Sequence, residues 1–465
     1  MSSLWVANAF ADDMKAQVLA SSMEALQRRL VLVNDAINND KPEPRELFIM
    51  VHQIDEDDMG LGLLAWAVKA ADSGVKVRIG VDGHSSHVSK DLIEELQRHG
   101  IEYKAFRPMT KTFFTDRLGL NFLNPNRLNQ RVHEKIFFVR NGNNAVVVMG
   151  SRNYTIEYFR IYNNAPLNER AEVANFNDTE ILLSGSFKDF GAVDRFLESK
   201  WDHPDMVSDI KLMGLEPLKQ KVNYKQVFSD IINSTAAYIN RAPRRYSIAS
   251  TVQASNVRFV FDTMGETSKD SANNDALVKM INSAKSSILI NNPYIITQKG
   301  EPLYEALIAA RKRSVEIYIK TNAIRESDHS LPSVAFKQIV PDLVAAGAHI
   351  FSNSTPNFLH EKMMIVDQSS VYIGSANFDP RSKNLNSESG VIVSNSDLGA
   401  KAFTYYRAEM TDFNVWGTAA LCRNIFSGGD TYMTNGYKLG AQPTFKESLS
   451  ERVTTFMLPL VRGMY

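Results

Sequence analysis

Apolar positions along the chain fall into short alternating runs and longer rhythms of three- and four-residue steps, one after the other. Met14, Val18, Leu19, Met23, Leu26, Leu30 and Val33 recur at helical steps, which predicts a helix over 13–34. Leu47 to Val51 is a compact apolar run of strand length. Leu61, Leu64, Ala65 and Val68 return to helical spacing between Gly60 and Ala71, and Gly74 closes that helix. Val75 to Val81 alternates as a strand, and a helix over 90–98 and a strand over 101–106 follow. Strand–helix–strand–helix–strand order is the signature of a mainly parallel sheet covered by helices.

The same order returns after residue 270. Helices are expected over 277–284, 303–311 and 334–346, and strands over 287–290, 315–319 and 349–351. This reads as an internal duplication of one α/β unit, with its seam near residues 205–270. The repeat is sharpest in a short string. His133-Glu134-Lys135 is followed by Gly150-Ser151-Arg152-Asn153, and His360-Glu361-Lys362 by Gly374-Ser375-Ala376-Asn377. Each copy is expected on a hairpin: Ile136–Val139 and Val146–Val148 around Asn141-Gly142, and Met363–Val366 and Val371–Ile373 around Gln368-Ser369-Ser370. The first turn is expected to be three residues longer. In both, His and Lys differ by two positions, so a strand would set them on one face.

The length of 465 residues suits two or three domains or one two-lobed unit. Apolar residues make up 44% and charged residues 22%, an ordinary globular balance. The 52 basic and 52 acidic residues cancel, which argues against non-specific polynucleotide binding but leaves room for a local basic pocket. Cys422 is the one cysteine, so no intrachain disulfide forms. No run of 18 uncharged apolar residues is present, which argues against a spanning helix. The stretch Leu4 to Ala11, with small residues ahead of Asp12-Asp13, looks like the end of a trimmed export signal, with an ordinary cytosolic start as the alternative.

His-x-Lys-x4-Asp with Gly-Ser-x-Asn downstream resembles the signature of the phospholipase D superfamily. His360, Lys362, Asp367, Gly374, Ser375 and Asn377 match it position for position. Further stretches are similar to the bacterial cardiolipin synthase-like branch: Leu128-Asn129-Gln130-Arg131, Glu157-Tyr158-Phe159, Asn292-Pro293-Tyr294, Thr321-Asn322 with Asp328, and Phe378-Asp379-Pro380-Arg381-Ser382 through Leu385 to Glu388. The resemblance implies two similar phospholipase D-like lobes, each a mixed, mainly parallel sheet flanked by helices, packed pseudo-two-fold around one active site. On this reading the chain divides into an N-terminal helical segment (1–44), a first lobe (45–205), a connecting segment (206–270), a second lobe (271–440) and an amphipathic tail (441–465).

The chemistry the resemblance implies is phosphodiester cleavage or transfer on phospholipids, part of phospholipid metabolism and lipid degradation. A neutral imidazole attacks phosphorus and forms a phosphohistidine, splitting one hard displacement into two easier ones. A second imidazole protonates the leaving oxygen, then activates the incoming water or alcohol. The resemblance makes His133 the nucleophile and His360 the general acid and base. Lys135 and Lys362 would neutralise the non-bridging oxygens, Asn153 and Asn377 would donate hydrogen bonds, and Ser151 and Ser375 would assist at the phosphate. It assigns Glu388 and Glu180 as carboxylates that orient the two imidazoles. Arg140 stands where the signature has Asp, matched by Asp367 in the second copy, a residue that supports local structure.

No cofactor is implied. Asp55-Glu56-Asp57-Asp58 is a charge run in which calcium is weighed against a solvated turn. His52, His84, His87, His99, His203, His329 and His349 have no partner pattern and read as structural or solvent-facing. The expected partners are a phospholipid at a membrane surface and an alcohol or water acceptor. A loop carrying Lys111, Phe113-Phe114, Arg117, Leu118, Leu120 and Phe122-Leu123, and the tail with Phe456-Met457, Leu460 and Arg462, are candidates for peripheral membrane contact. The implied setting is bacterial, at the membrane or exported, with cytoplasm as the alternative. The competing activity is a nuclease of the same superfamily, against which stand the balanced charge and the lack of a basic, aromatic stripe.

Overall fold

Each predicted strand finds a partner in one of two nine-stranded sheets. The structure, a computed structural model, describes residues 5–9, 14–39, 44–108, 129–159, 176–213, 215, 221–239, 251–262, 271–322, 330–353, 358–410, 414–415, 433–434 and 437–438. The first half runs β1 (Trp5–Ala9), β2 (Lys15–Leu19), α1 (Ser22–Ile37), β3 (Arg45–Val51), α2 (Asp58–Asp72), β4 (Lys76–Asp82), α3 (Lys90–Arg98) and β5 (Glu102–Phe106). It continues through β6 (Arg131–Val132), β7 (Lys135–Asn141), β8 (Asn144–Gly150), β9 (Phe176–Asn177), β10 (Glu180–Ser186), α4 (Gly191–Trp201) and β11 (Met206–Val207). Helix α5 (Tyr224–Ile239) leads to β12 (Val252–Gln253), β13 (Val257–Phe261), α6 (Ala272–Ser283), β14 (Ser287–Asn291), α7 (Pro302–Lys312), β15 (Glu316–Asn322), α8 (Ser330–Ala345) and β16 (His349–Asn353). The second half closes with β17 (Phe358–Leu359), β18 (Met363–Val366), β19 (Ser370–Gly374), α9 (Pro380–Asn384), β20 (Asn386–Ser387), β21 (Ser389–Ser394), α10 (Ser396–Ala408) and β22 (Asn414–Val415). The helices start where side chains satisfy their free amides: Ser21, Asp57, Ser89 and Ser271 cap α1, α2, α3 and α6.

The first sheet is ordered β11-β5-β4-β3-β7-β8-β10-β2-β12 and the second β22-β16-β15-β14-β18-β19-β21-β13-β1. The two orders superpose, so the duplication read from the sequence is a pseudo-two-fold. One detail was not legible. β1 precedes the first lobe in the chain but pairs with β13 of the second, while β12 precedes the second lobe but pairs with β2 of the first. The lobes thus exchange their edge strands.

Several expectations are corrected. Within the two nine-stranded sheets only β3–β4–β5 and β14–β15–β16 are parallel; the remaining neighbours there run antiparallel, because each hairpin and its flanking strands follow the βαβ units. Residues 15–19, expected inside one helix over 13–34, form a strand paired with β10. With α1 they belong to the first lobe, so 1–44 is not a separate helical segment. β13 likewise lies in the second sheet, and α5 packs on the first lobe with Trp66 Nε1 donating to Thr235 Oγ1 (2.8 Å), so 206–270 is more than a connection. The first hairpin has the tighter turn, at Gly142-Asn143 with Gly142 at φ +64°; its extra residues lengthen the strands instead. The tail 441–465, the loop 111–123 and Cys422 lie outside the described residues.

Strand alternation decides what packs where. Ile136, Phe138, Val147 and Met149 face inward and meet Met363, Ile365, Val371 and Ile373 of the other lobe in one shared core. Phe137, Val139 and Val148 face outward under α1, α2 and α3. Met364 and Val366 face outward under α6, α7 and α8. Sheets packed inner face to inner face bring the ends of β7 and β18, and therefore both His-x-Lys strings, to the seam between the lobes.

Candidate active site

His133 and His360 each follow a two-residue strand that crosses between lobes. β6 lies parallel to β20, pairing Val132 with Ser387, and His133 N then donates to Ser387 O (3.0 Å). β17 lies parallel to β9, pairing Leu359 with Asn177, and His360 N donates to Asn177 O (2.8 Å). Glu388 follows Ser387, and Asp178 follows Asn177. The ladder that delivers each imidazole therefore sets a carboxylate of the opposite lobe beside it. His133 Nδ1 is 2.8 Å from Glu388 Oε2, and His360 Nδ1 is 2.7 Å from Asp178 Oδ1. With Nδ1 engaged, Nε2 of each ring is left for chemistry, and both rings line one cavity of about 410 Å³.

Glu388 stands where it was expected; Glu180 does not meet His360. Gly150 pairs with Glu180 and Gly374 with Gly390, so Glu180 is the counterpart of Gly390, and Asp178 is the counterpart of Glu388. Superposing Ile181-Leu182-Leu183 on Val391-Ile392-Val393 gives the same register. Taking the acid that adjoins the apolar run places it two residues too late. Glu180 is instead fully buried between Arg29 and Arg152.

The serines are corrected too. Ser151 Oγ donates to Asp178 Oδ1 (2.7 Å) and accepts from Thr179 N (3.1 Å). Ser375 Oγ donates to Glu388 Oε2 (2.5 Å) and accepts from Ser389 N (2.9 Å). Both hold carboxylates, and neither lines the cavity. Lys135 and Lys362 are fully buried, and each ammonium turns back onto the carbonyl of its own histidine at 2.7 Å. They lie behind the histidines rather than among the lining side chains, acting there as fixed positive charges. Asn153 and Asn377 do line the cavity, and the side-chain oxygen of each is buried with no hydrogen-bond partner among the described residues. Amide oxygen and nitrogen exchange by a flip of the group, so each offers a ligand either a donor or an acceptor.

The walls differ around the two rings. The His133 ring meets the edge of His52 at 4.7 Å, whereas His360 meets Tyr158 at 5.1 Å and Phe176 at 5.5 Å. His52 Nδ1 lies 2.7 Å from Val132 O, and the ring lines the cavity. Sequence reasoning set His52 aside as structural because the repeat could not flag it: bridges Ile54–Tyr154 and Ile295–Phe378 make its counterpart Pro293. Arg131 and Arg381 supply positive charge to the cavity wall, Arg381 anchored on Asn129.

Burial pushes the His133 imidazole well below its usual range, and Lys135 and Lys362 push it further, so the ring is neutral at pH 7. His360 is lowered to about 4 by burial and by Lys362, with Asp178 opposing. Burial would raise Asp178, but His360, Arg152 and Lys362 outweigh it and hold the carboxyl well below the usual carboxylate range. Glu388 is pushed up to about 7 by burial, only partly offset by Lys135 and by neutral donors. Lys135 is lowered to about 8, again chiefly by burial.

Asp367 sits in the second hairpin turn at φ +51° and accepts from the amides of Lys285, Ser286 and Ser287. Arg140 instead lies over the Phe187 ring at 3.6 Å and donates to Gly142 O. Neither reaches the cavity. In the acidic run, Asp57 caps α2, Asp55 accepts from His87 N, and Glu56 accepts from Ser89 N. Among the described residues no group of three or more His, Cys, Asp or Glu side chains is arranged to hold a metal ion.

The site is thus built from two lobes of one fold, with paired His–carboxylate dyads meeting across their seam. Residues 277–411 match the family model described as cardiolipin synthase, PLD-like domain. A cardiolipin synthase of Clostridium perfringens (strain SM101 / Type A) is 26% identical over 346 residues, covering 74% of this chain and 60% of that protein. A probable cardiolipin synthase of Bacillus subtilis (strain 168) is 23% identical over 367 residues, covering 79% of this chain and 61% of the relative. The chain thus spans about 60% of the length of these relatives. The crystal structure of a phosphatidylserine synthase from Haemophilus influenzae Rd KW20 shares the fold, with a TM-score of 0.63 over 97% of this chain and 95% of that one at 12% identity. Over residues 277–411 the chain is similar to the PLD-like domain of cardiolipin synthases, and over about three quarters of its length to these bacterial relatives.

Proposed function

We propose that the chain is a phospholipid phosphodiesterase and phosphatidyltransferase working through a phosphohistidine. The observation that carries this reading is the pair of imidazoles from two lobes, each backed by the other lobe's carboxylate, lining a single cavity. The neutral Nε2 of His133 forms a bond to phosphorus as the bond to the departing alcohol breaks. That alcohol leaves with a proton from His360 Nε2. In the second step His360 takes the proton of an incoming hydroxyl, its oxygen bonds to phosphorus, and the N–P electron pair returns to His133. Asn153 and Asn377 bond the non-bridging oxygens, while Lys135, Lys362, Arg131 and Arg381 stabilise the added negative charge. A bound phosphodiester anion also supplies the charge that raises His360 from its low empty-site value and loads it with a proton.

The similarity to cardiolipin synthases supports a phospholipid donor, for which we take phosphatidylglycerol presented at a membrane surface. Among the described residues no helix is long and apolar enough to cross a membrane. Purified protein incubated with phosphatidylglycerol vesicles, with and without a primary alcohol, tests the reading. Cardiolipin or phosphatidylalcohol indicates transfer, and phosphatidic acid indicates hydrolysis. Lipid left intact while single-stranded DNA is cut would overturn it in favour of a nuclease.

A further inference from the structure

The first lobe carries a buried ionic hub that the second lacks. Arg152 occupies the position of Ala376, and Glu180 that of Gly390. Arg152 Nε lies 3.0 Å from Glu180 Oε2, and Arg29 of α1 engages both oxygens of the same carboxylate; all three side chains are fully buried. The remaining donors of Arg152 reach Ser22 Oγ (3.0 Å), the carbonyl of Asp178 (3.1 Å) and the carbonyl of Tyr158. Asp178 and Tyr158 are two of the three first-lobe side chains described against His360, one on Nδ1 and one, beside Phe176, against the ring. A single guanidinium therefore fixes two of the groups that hold the second-lobe histidine. Glu388, by contrast, is held by neutral side chains: Ser382 Oγ (2.7 Å) and Asn386 Nδ2 (3.1 Å) on Oε1, and Ser375 on Oε2. Asp178 has fewer such bonds, and its Oδ2 has no hydrogen-bond partner among the described residues, so adjacent positive charge does more to keep it ionised.

We propose that Arg152, locked in place by Glu180, Arg29 and Ser22, is a positioning residue for His360 alone, so that the acid–base half of the reaction depends on it and the nucleophilic half does not. This rests on the reading that His133 attacks phosphorus. The charged groups facing the dyad are then Arg152 behind Asp178, and Lys362 and Lys135 behind the rings. Loss of the guanidinium lets Asp178 and Tyr158 drift, and with them the proton of His360. A misplacement of about 1 Å costs on the order of 10²-fold in rate.

Leaving-group dependence separates the two halves. A p-nitrophenolate departs without a proton, so formation of the phosphohistidine from phosphatidyl-p-nitrophenol needs only His133. Its breakdown still needs His360 to take the proton of water. Arg152→Met, which keeps the volume and leaves the Glu180–Arg29 pair intact, is expected to release about one p-nitrophenol per active site in a burst from detergent micelles of this lipid. Its steady-state turnover on the same lipid and on phosphatidylglycerol should fall tenfold or more, with the phosphatidyl group of the p-nitrophenyl lipid retained on the protein. Glu180→Gln, which keeps shape and removes the ion pair, should show the same split with a smaller loss. Burst and turnover falling together in both variants, or neither falling, would overturn the proposal. Wild-type protein that releases no p-nitrophenol at all would reject the parent reading instead.

Discussion

An imidazole whose Nδ1 faces a carboxylate has its proton fixed on that side, and its Nε2 lone pair is thereby presented to the cavity. Glu388→Gln replaces the acceptor facing His133 Nδ1 with an amide that can donate to it, which moves the ring proton to Nε2 and silences the nucleophile. Turnover should drop about 10³-fold or more, as should turnover of Asp178→Asn, in steady-state assays on vesicles. The low His360 value of about 4 sets a sign for ligand binding. An anion raises the ring's affinity for a proton, so sulfate, whose charge is constant across this range, should bind with proton uptake. Its affinity should weaken as pH rises from about 5 to 8, as calorimetry in buffers of different ionisation enthalpy would record. At this scale the histidines, lysines and asparagines were legible because the repeat marks them twice. Asp178 was obscured because 25 residues separate it from Asn153 whereas eleven separate Glu388 from Asn377. His52 has no repeat partner to mark it.

Local pattern fixed most elements, and failed where two periodicities overlap. Met14, Val18 and Leu19 fit a helical step, but Ala16 and Val18 of β2, with Met14 just before it, enter the inner core at every second position while Leu19 enters the outer one, and pairing with β10 decides the matter. Ser21 then begins the true helix by capping it. The exchanged edge strands leave no local trace, since a strand's partner is set by the assembled sheet rather than by its own residues. The hairpins show how unequal sequences serve equal roles. Asp367 ties its turn to three amides, while Arg140 stacks on Phe187 and donates one bond to Gly142 O within its own turn. Asp367→Ala should therefore cost about 1–2 kcal/mol, read by chemical denaturation, with kcat unchanged. Arg140→Ala should cost about 0.5–1 kcal/mol.

Neither lobe is a working unit in this arrangement. Each histidine takes its carboxylate from the other half, each sheet takes an edge strand from it, and one apolar core joins the inner faces. A chain cut by protease at a site engineered between α5 and β12 should accordingly co-elute as one body and keep its activity. Two halves that separate under native conditions would show that the shared core does not hold them. The central claim, that two lobes share one phosphorus with His133 as the attacking atom's source, is tested most directly by locating the covalent adduct. Turnover of phosphatidylglycerol is quenched in alkali and the digested protein is mapped by mass spectrometry. The expected result is a phosphatidyl group on the peptide carrying His133, absent from His133→Ala, and accumulating in His360→Ala when phosphatidyl-p-nitrophenol, whose leaving group needs no proton, is the donor. An adduct on His360, or turnover with no adduct on either histidine, would contradict it.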